Sequence, residues 1–387
     1  MIFAGEGYSN SETTLEAVRE AVGQAMERAE VEAADLVLLF ATYHHASDLN
    51  GMLETAVEVS GTEAVVGCSG MGVLTSALEN DREPGVAVLA LAGEELEAVP
   101  FLVQGEGAAM EIGEKILPYA GDDAVLVLMP GLFYQPGELI AQIEQAVDGI
   151  QVVGAIASGD PGAQGYPRTF QWCGTSVAEE GVAGVLLKGA RVMIGVAQGC
   201  QPFGQAYAVT RAEKNVIYEL AFSPAVDALK EAMDTLTAEE KEHLGRNIFV
   251  GLAMDEYAIE RGRGDFLIRN IRAIDPNNGA IAVGEQVSVG QTVQFNRRTP
   301  SAAHEDIEQV AEQLAKTLPG QKFGLYFNCV ARGFMLYGQP DHDVSVIRKH
   351  LGIFPMVGFF GNSEFAPVGG TNFMHSYTGV LVLFSAA

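Results

Sequence analysis

Basic residues are scarce in this chain. Lysine and arginine number 23 against 50 aspartates and glutamates, only 8 of the 23 are lysine, and the formal net charge is −27. A main activity on nucleic acid or an anionic membrane through a basic face is therefore excluded. Cysteine is equally thin. Cys68, Cys173, Cys200 and Cys329 stand far apart, and no CxxC or Cys/His ligand spacing occurs, which argues against structural zinc. No run approaches the about 20 apolar residues of a membrane-spanning helix. No signal-peptide pattern stands at the start, so the expectation is a cytoplasmic chain with reduced thiols. The phosphate-binding words GxxxxGKS/T and GxGxxG are missing. Ser69 fails the GxSxG elbow because its glycines fall at Gly70 and Gly72. HExxH is missing as well, and the expectation is neither cofactor nor metal.

What the chain does have is apolar patterning. Hydrophobic residues make up 48% and charged residues 19%, enough for a sizeable core and too ordered a composition for global disorder. Leu15, Val18, Val22, Met26 and Ala29 share one face of a helix over 12–29, with Thr13 and Glu16 suited to a capping box. A strand from Leu36 follows, then a helix over 50–60, then Ala64-Val65-Val66 running into Gly67-Cys68-Ser69-Gly70, a polar loop, and a strand over 85–92. The same order returns through 108–119, 124–129, 137–148, 151–153 and 181–187. It returns again through a helix over 304–318, the strand FGLYFNC, a short helix, FPMVGFFG and a strand over 377–384. Gly67, Gly154 and Gly358 hold corresponding places.

The expected fold class is α/β, with mixed β-sheets flanked by helices in layers and built from repeated helix–strand–helix–strand–loop–strand units. Two such units fall in a domain over 1–190. A second domain over 191–387 holds an insertion (191–300) and the third unit. The insertion has strands of its own and a helix capped by Ser223 with Pro224 in its first turn.

These words and their order resemble the FIST family, sensory domains named for F-box and intracellular signal transduction proteins. The N-terminal FIST resemblance rests on VVGCSGMGVLT (65–75) and GVAVLAL (85–91). The C-terminal one rests on GCQPFGQAYAVTRAEKNVIYEL (199–220), GDFLIRNIRAIDPNNGAIAVGEQVSVGQTVQFNRR (264–298), FNCVARG (327–333) and PMVGFFGNSEFAP (355–367). The resemblance implies a binding function: a sensor of small molecules, amino acids among them, that signals through a partner protein. No kinase, cyclase, methyl-accepting or F-box segment is recognisable in these 387 residues.

Ligand sites in open α/β sheets lie outside the carboxyl ends of strands. That rule singles out several groups here. Arg332 offers a planar fork suited to a carboxylate, or else to an acidic neighbour. Cys329, three residues earlier, is either a thiol made reactive by that guanidinium or a small buried hydrophobe. Asn328 precedes it. Asn362 and Glu364 follow the next strand and could meet a ligand amide or ammonium. Gly67, Cys68, Ser69 and Gly70 form a glycine-rich turn that could cradle an anion, or simply let backbones approach. His44 and His45 are adjacent and cannot easily ligate one metal. The leading reading is a small-ligand sensor, with the ligand an amino acid or small carboxylate. A thiol-dependent hydrolase or transferase using Cys329 or Cys68, and a protein-interaction adaptor, are the alternatives.

Overall fold

In the strand Leu36–Thr42 every side chain is buried, and neighbours go to different cores. Leu36, Leu38 and Phe40 enter one cluster, whereas Val37, Leu39 and Ala41 enter another that includes Ala17, Val18, Ala21 and Val22. Successive side chains leave opposite faces of a strand, so a continuous apolar run implies a sheet covered on both sides. The computed structural model describes residues 1–160, 167–244, 247–258, 261–317 and 320–386. Leu318, the expected end of the 304–318 helix, lies outside them.

The first stretch runs β1 (Phe3–Ser9), α1 (Thr14–Ala29), β2 (Leu36–Thr42), α2 (Leu49–Ser60), β3 (Val65–Gly70), a hairpin of β4 (Val73–Thr75) and β5 (Glu79–Asn80), then β6 (Val86–Ala92). The second runs β7 (Glu97–Val103), α3 (Ala108–Ile116), β8 (Val125–Pro130), α4 (Pro136–Ala146), β9 (Gln151–Ala155), a hairpin of β10 (Phe170–Cys173) and β11 (Ser176–Glu179), then β12 (Val182–Lys188). After β13 (Ala190–Ala197) comes a separate set: β14 (Cys200–Glu213), β15 (Val216–Leu220), β16 (Ser223–Pro224), α5 (Ala225–Asp234), α6 (Ala238–Leu244), β17 (Ile248–Ala253), β18 (Phe266–Asp275), β19 (Ala280–Val283) and β20 (Thr292–Arg298). The third stretch follows through α7 (Pro300–Thr317), β21 (Gln321–Cys329), α8 (Phe334–Tyr337), α9 (His342–Leu351), β22 (Met356–Gly361), a hairpin of β23 (Glu364–Val368) and β24 (Thr371–His375), and β25 (Gly379–Ala386).

Two compact units result. The larger comprises Met1–Val196, Ile307–Met374 and Thr378–Ala387, and so draws on both sides of residue 190. It holds three six-stranded sheets of one design: β1-β6-β2-β3-β10-β11, β7-β12-β8-β9-β23-β24 and β13-β25-β21-β22-β4-β5. In each, the central pair is parallel (β2/β3, β8/β9, β21/β22), and the strand beside its first member (β6, β12, β25) is antiparallel. The segments between third and fourth strands, expected as loops, contain hairpins, and each hairpin joins a sheet other than its own. β10 pairs with β3, β23 with β9, and β4 with β22. One face of all three sheets meets in a single cluster that includes Phe40, Val127, Phe327 and Phe359.

The central glycines sit where this exchange happens. Gly67 lies between Leu39 and Trp172, Gly154 between Leu128 and Phe365, and Gly358 between Tyr326 and Leu74. A Cβ on Gly67 would stand 1.7 Å from the Leu39 carbonyl oxygen, on Gly154 2.1 Å from that of Leu128, and on Gly358 1.7 Å from that of Tyr326. No side chain fits there.

The smaller unit spans Ala197–Asp306 with His375–Tyr377. Its strands run β14-β20-β17-β18-β19-β15, and β14 also pairs with β15, so the sheet closes on itself. Closure removes exposed strand edges. Phe203, Tyr207, Val250, Ile281 and Phe295 fill the interior together with Ala225, Leu229 and Ala232 of α5. The expected Ser223 cap is absent. Ser223 and Pro224 pair with Leu220 and Glu219 as β16, and Pro224 itself takes the cap position with no side-chain bond. Thr13 likewise starts α1 without a side-chain cap bond, and the Glu16 carboxylate accepts from Ser11 Oγ (2.8 Å).

Gly67→Ala and Gly358→Ala should each lower unfolding stability by more than about 3 kcal/mol in urea titrations, through backbone overlap. Gly23→Ala, on α1 with nothing within 4 Å of the added carbon, should instead raise it by about 0.5–1 kcal/mol.

Candidate functional site

Three strands from three different sheets end together. Ser69 Oγ, at the end of β3, donates to the Ser158 carbonyl (3.0 Å) and accepts from the Phe170 amide (3.0 Å). The Ser158 amide returns a bond to the Ser69 carbonyl (3.3 Å). Ser158 Oγ accepts from the Met71 amide (2.7 Å) and donates to the Phe360 carbonyl of β22 (2.5 Å). Asn362 Nδ2 donates to the Ala157 carbonyl (2.8 Å), its amide donates to the Ile156 carbonyl (3.0 Å), and the Ile156 amide donates to Ser363 (2.9 Å). Backbone groups freed where a strand stops require partners, and here they take them from the neighbouring sheet. Ser69 and Gly70 are buried, and Asn362 is half-buried at the surface of this junction. Ser158 was not singled out from sequence; only its strand-end position hinted at it.

His44 and His45 occupy a 3₁₀ turn directly after β2. His45 is fully buried and its Nδ1 meets Thr14 Oγ1 (3.2 Å); burial, then the neighbouring His44, lowers its pKa to about 4. His44 is exposed and stacks on Tyr43 at 4.1 Å. Burial lowers the His44 pKa, and the Asp160 charge opposes that. Among the described residues no group of three or more His, Cys, Asp and Glu is arranged to hold a metal.

Arg332 lies elsewhere in the same unit, and it is fully buried. Its expected carboxylate partner is internal. Nε donates to Asp343 Oδ2 (2.9 Å), and Nη2 donates to Asp343 Oδ1 (3.2 Å) and to the Tyr337 hydroxyl (2.8 Å). Asp343 also accepts from Tyr326 Oη (2.9 Å) and Asn328 Nδ2 (3.3 Å), with His342 Nδ1 at 3.1 Å from its Oδ1. Burial works against both charges. The pairing more than offsets it, so Arg332 stays well above its ordinary pKa and Asp343 well below. Glu79, from the exchanged hairpin, closes the cluster. Its Oε1 accepts from the Val344 amide (3.1 Å), and burial followed by the Asp343 charge pushes its pKa well up. Tyr326, Tyr337, Asp343 and Glu79 escaped the sequence reading, because nothing local ties residue 79 or 343 to 332.

Glu364 and Cys329 form a third buried group. Glu364 Oε2 accepts from the Thr378 amide (3.2 Å) and hydroxyl (2.5 Å), and the Cys329 thiol also hydrogen-bonds this carboxyl. Burial pushes the Glu364 pKa up to about 8 against those bonds. Cys329 is 3% exposed and therefore distant from the solvent-accessible thiol that nucleophilic chemistry requires. Cys68 packs in the shared core with Gly67 beside it, and burial alone pushes its thiol well above the ordinary range.

Two outcomes follow. Arg332→Met or Asp343→Leu alone should cost about 3–5 kcal/mol in denaturant titrations, since each strands a buried charge, and the double replacement should recover part of that loss. Folded Glu364 keeps a proton that the unfolded chain releases above its ordinary value near 4.5. Its contribution is therefore present below that value and is lost as pH rises to about 8, at up to about 1.4 kcal/mol per pH unit. Glu364→Gln should flatten the stability profile across that window.

Two family models together span most of the chain. The FIST N domain matches residues 35–221 and the FIST C domain residues 225–367. An uncharacterized protein of Mycobacterium tuberculosis is 35% identical, covering 98% of this chain and 99% of its own length. One of Mycobacterium bovis is 33% identical, covering 98% of each. The crystal structure of cyanuric acid hydrolase from A. caulinodans covers 48% of this chain and 71% of its own at 8% identity, with a TM-score of 0.30, too remote to bear on the site. FIST domains are associated with sensory roles in signal transduction. On the two domain matches and the near full-length relatives, this chain belongs to the FIST family.

Proposed function

We propose that this protein is a cytoplasmic sensor that binds a small ligand, an amino acid or other small carboxylate, and passes the event to a partner protein. The observation that carries this reading is the junction where β3, β9 and β22 end, laced by Ser69, Ser158 and Asn362 from three sheets. Amides and hydroxyls gathered at strand ends are the usual material of a ligand site. Ser69, Gly70 and Asn362 would stand nearest the ligand, with Gly67 and Cys68 in the strand behind. Asn328, Cys329, Arg332 and Glu364 would form the buried polar layer that fixes the strand ends of the third sheet. The sensing part thus takes residues from both sequence portions, 1–190 and 191–387. Among the described residues no helix is long and apolar enough to cross a membrane.

A thermal-shift screen against the amino acids and small carboxylates, on wild type and Asn362→Ala in parallel, tests this. A ligand at 100 times its dissociation constant should add about 2.7 kcal/mol of stability to wild type, and much less to the variant. A flat screen with both proteins folded would overturn the reading.

A further inference from the structure

A pocket of about 270 Å³ opens where β8 and β9 begin, at the other end of these strands from the Ser69–Ser158–Asn362 junction. Asp122 and Asp123 line it from the turn that leads into β8, closed by the Ala124 amide on the Gly121 carbonyl (3.0 Å). Gln151, the first residue of β9, and Arg191, near the start of β13, line it as well, with the buried Ala124 and Ala190 between them in the lining. Charges of both signs thus border one small space, yet they do not satisfy each other. Among the described residues Asp122, Asp123, Gln151 and Arg191 make no ion pair and no side-chain hydrogen bond. Lys188, close to Gly121, pairs with neither carboxylate. Elsewhere in this acidic chain arginines do find carboxylates: Arg168 with Glu179, Arg297 with Glu240 and Arg332 with Asp343. A guanidinium left open beside two open aspartates is the exception.

We infer that this pocket is a second ligand site, and that it takes a free diamino monocarboxylate of the size of lysine or ornithine. Arg191 would receive the carboxylate through its planar fork, and Asp122 and Asp123 would receive the two ammonium groups. Charge chooses this class. The lining carries two negative groups and one positive, so its complement carries two positive and one negative. A dicarboxylate would meet two aspartates in a molecule of net charge −27, and a plain diamine would leave Arg191 facing a cation. The volume lies just below the range of roughly 300–1,000 Å³ usual for drug-sized ligands, which suits a single small molecule. This site shares no residue with the junction and does not depend on it.

The test is calorimetric titration of the full chain with L-lysine. Exposed charge pairs are individually weak, so Arg191→Gln and Asp123→Asn should each weaken binding by about threefold or more. Arg191→Gln makes the chain more acidic, and diffuse attraction alone would therefore tighten the binding of a cation. Weakening is the signature of a carboxylate contact; unchanged or tighter binding would overturn the inference. Glu54→Gln, an exposed carboxylate on α2, should change binding by less than about twofold. Equal binding of cadaverine, which lacks the carboxylate, or of Nα-acetyl-L-lysine, which lacks one cation, would overturn the inference, as would no heat from L-lysine. All three substituted positions are at the surface, and thermal melting checks that the variants fold. L-Lysine binding lost in Asn362→Ala and kept in Arg191→Gln would put the amino acid at the junction and overturn this inference alone, so its failure and that of the junction reading are distinguishable.

Discussion

The fold of the larger unit hangs on a backbone approach that only glycine permits. At Gly67, Gly154 and Gly358 a strand runs so close to its parallel neighbour that a methyl group would overlap a carbonyl oxygen. On the other side of each glycine lies a hairpin carried in from a different stretch of chain. The glycine therefore sets two distances at once. A bulkier residue would push the strand off its partner and lift the hairpin from its seat. Because the three hairpins are exchanged among three sheets, none of the sheets reaches its full six strands from its own segment. Cooperativity between the sheets is built into the hydrogen bonding as well as into their shared core.

On this common scaffold the three stretches differ in what they bury. Among the described residues, only the third buries a guanidinium and a carboxylate together, in the fully buried Arg332–Asp343 pair. Such a pair adds little net stability over an apolar filling, but losing one partner is costly. Its value lies in directionality. Asp343 collects donors from β21 (Tyr326, Asn328), from the chain after it (Arg332) and from its neighbour His342, and so fixes the start of α9 against the strand. Glu79 of the exchanged β4–β5 hairpin reaches the same helix through the Val344 amide. The polar cluster thus locks a foreign hairpin and a local helix to one strand end.

Much of this was legible in the sequence, for a definite reason. Continuous apolar runs and the 3.6-residue period are local properties, so Leu36–Thr42, Val125–Pro130 and the helices opposite them could be read directly. The central glycines stood out because their chemistry is unusual. The residues at the site were partly legible: Ser69, Asn362 and Arg332 follow apolar runs, which marks them as strand ends. Their partners were not. Ser158 bonds to Phe360, 202 residues away, and Glu79 to Val344, 265 residues away, and no pattern in a single sequence encodes such pairings. The same limit explains Arg332. Its type and position suited a ligand carboxylate equally well, and only the folded chain brings Asp343 up to it. The hairpins hid for a different reason: β4, β5, β10 and β11 are two to four residues long, below the length at which alternation is distinguishable from loop composition.

These features bear on how a signal could leave the molecule. A strand end tied to the next sheet cannot shift alone. The Ser69–Ser158–Phe360 chain joins all three sheets within a few bonds, so any group seated there alters the same hydrogen bonds that hold the sheets in register. Close-packed interiors respond to such a change by switching arrangement more readily than by gradual deformation. β9 belongs to the same sheet as β8, which leads into the Phe133 turn and α4. On the proposed reading, displacement at the junction therefore reaches the start of α4 through β9 and β8 of one sheet.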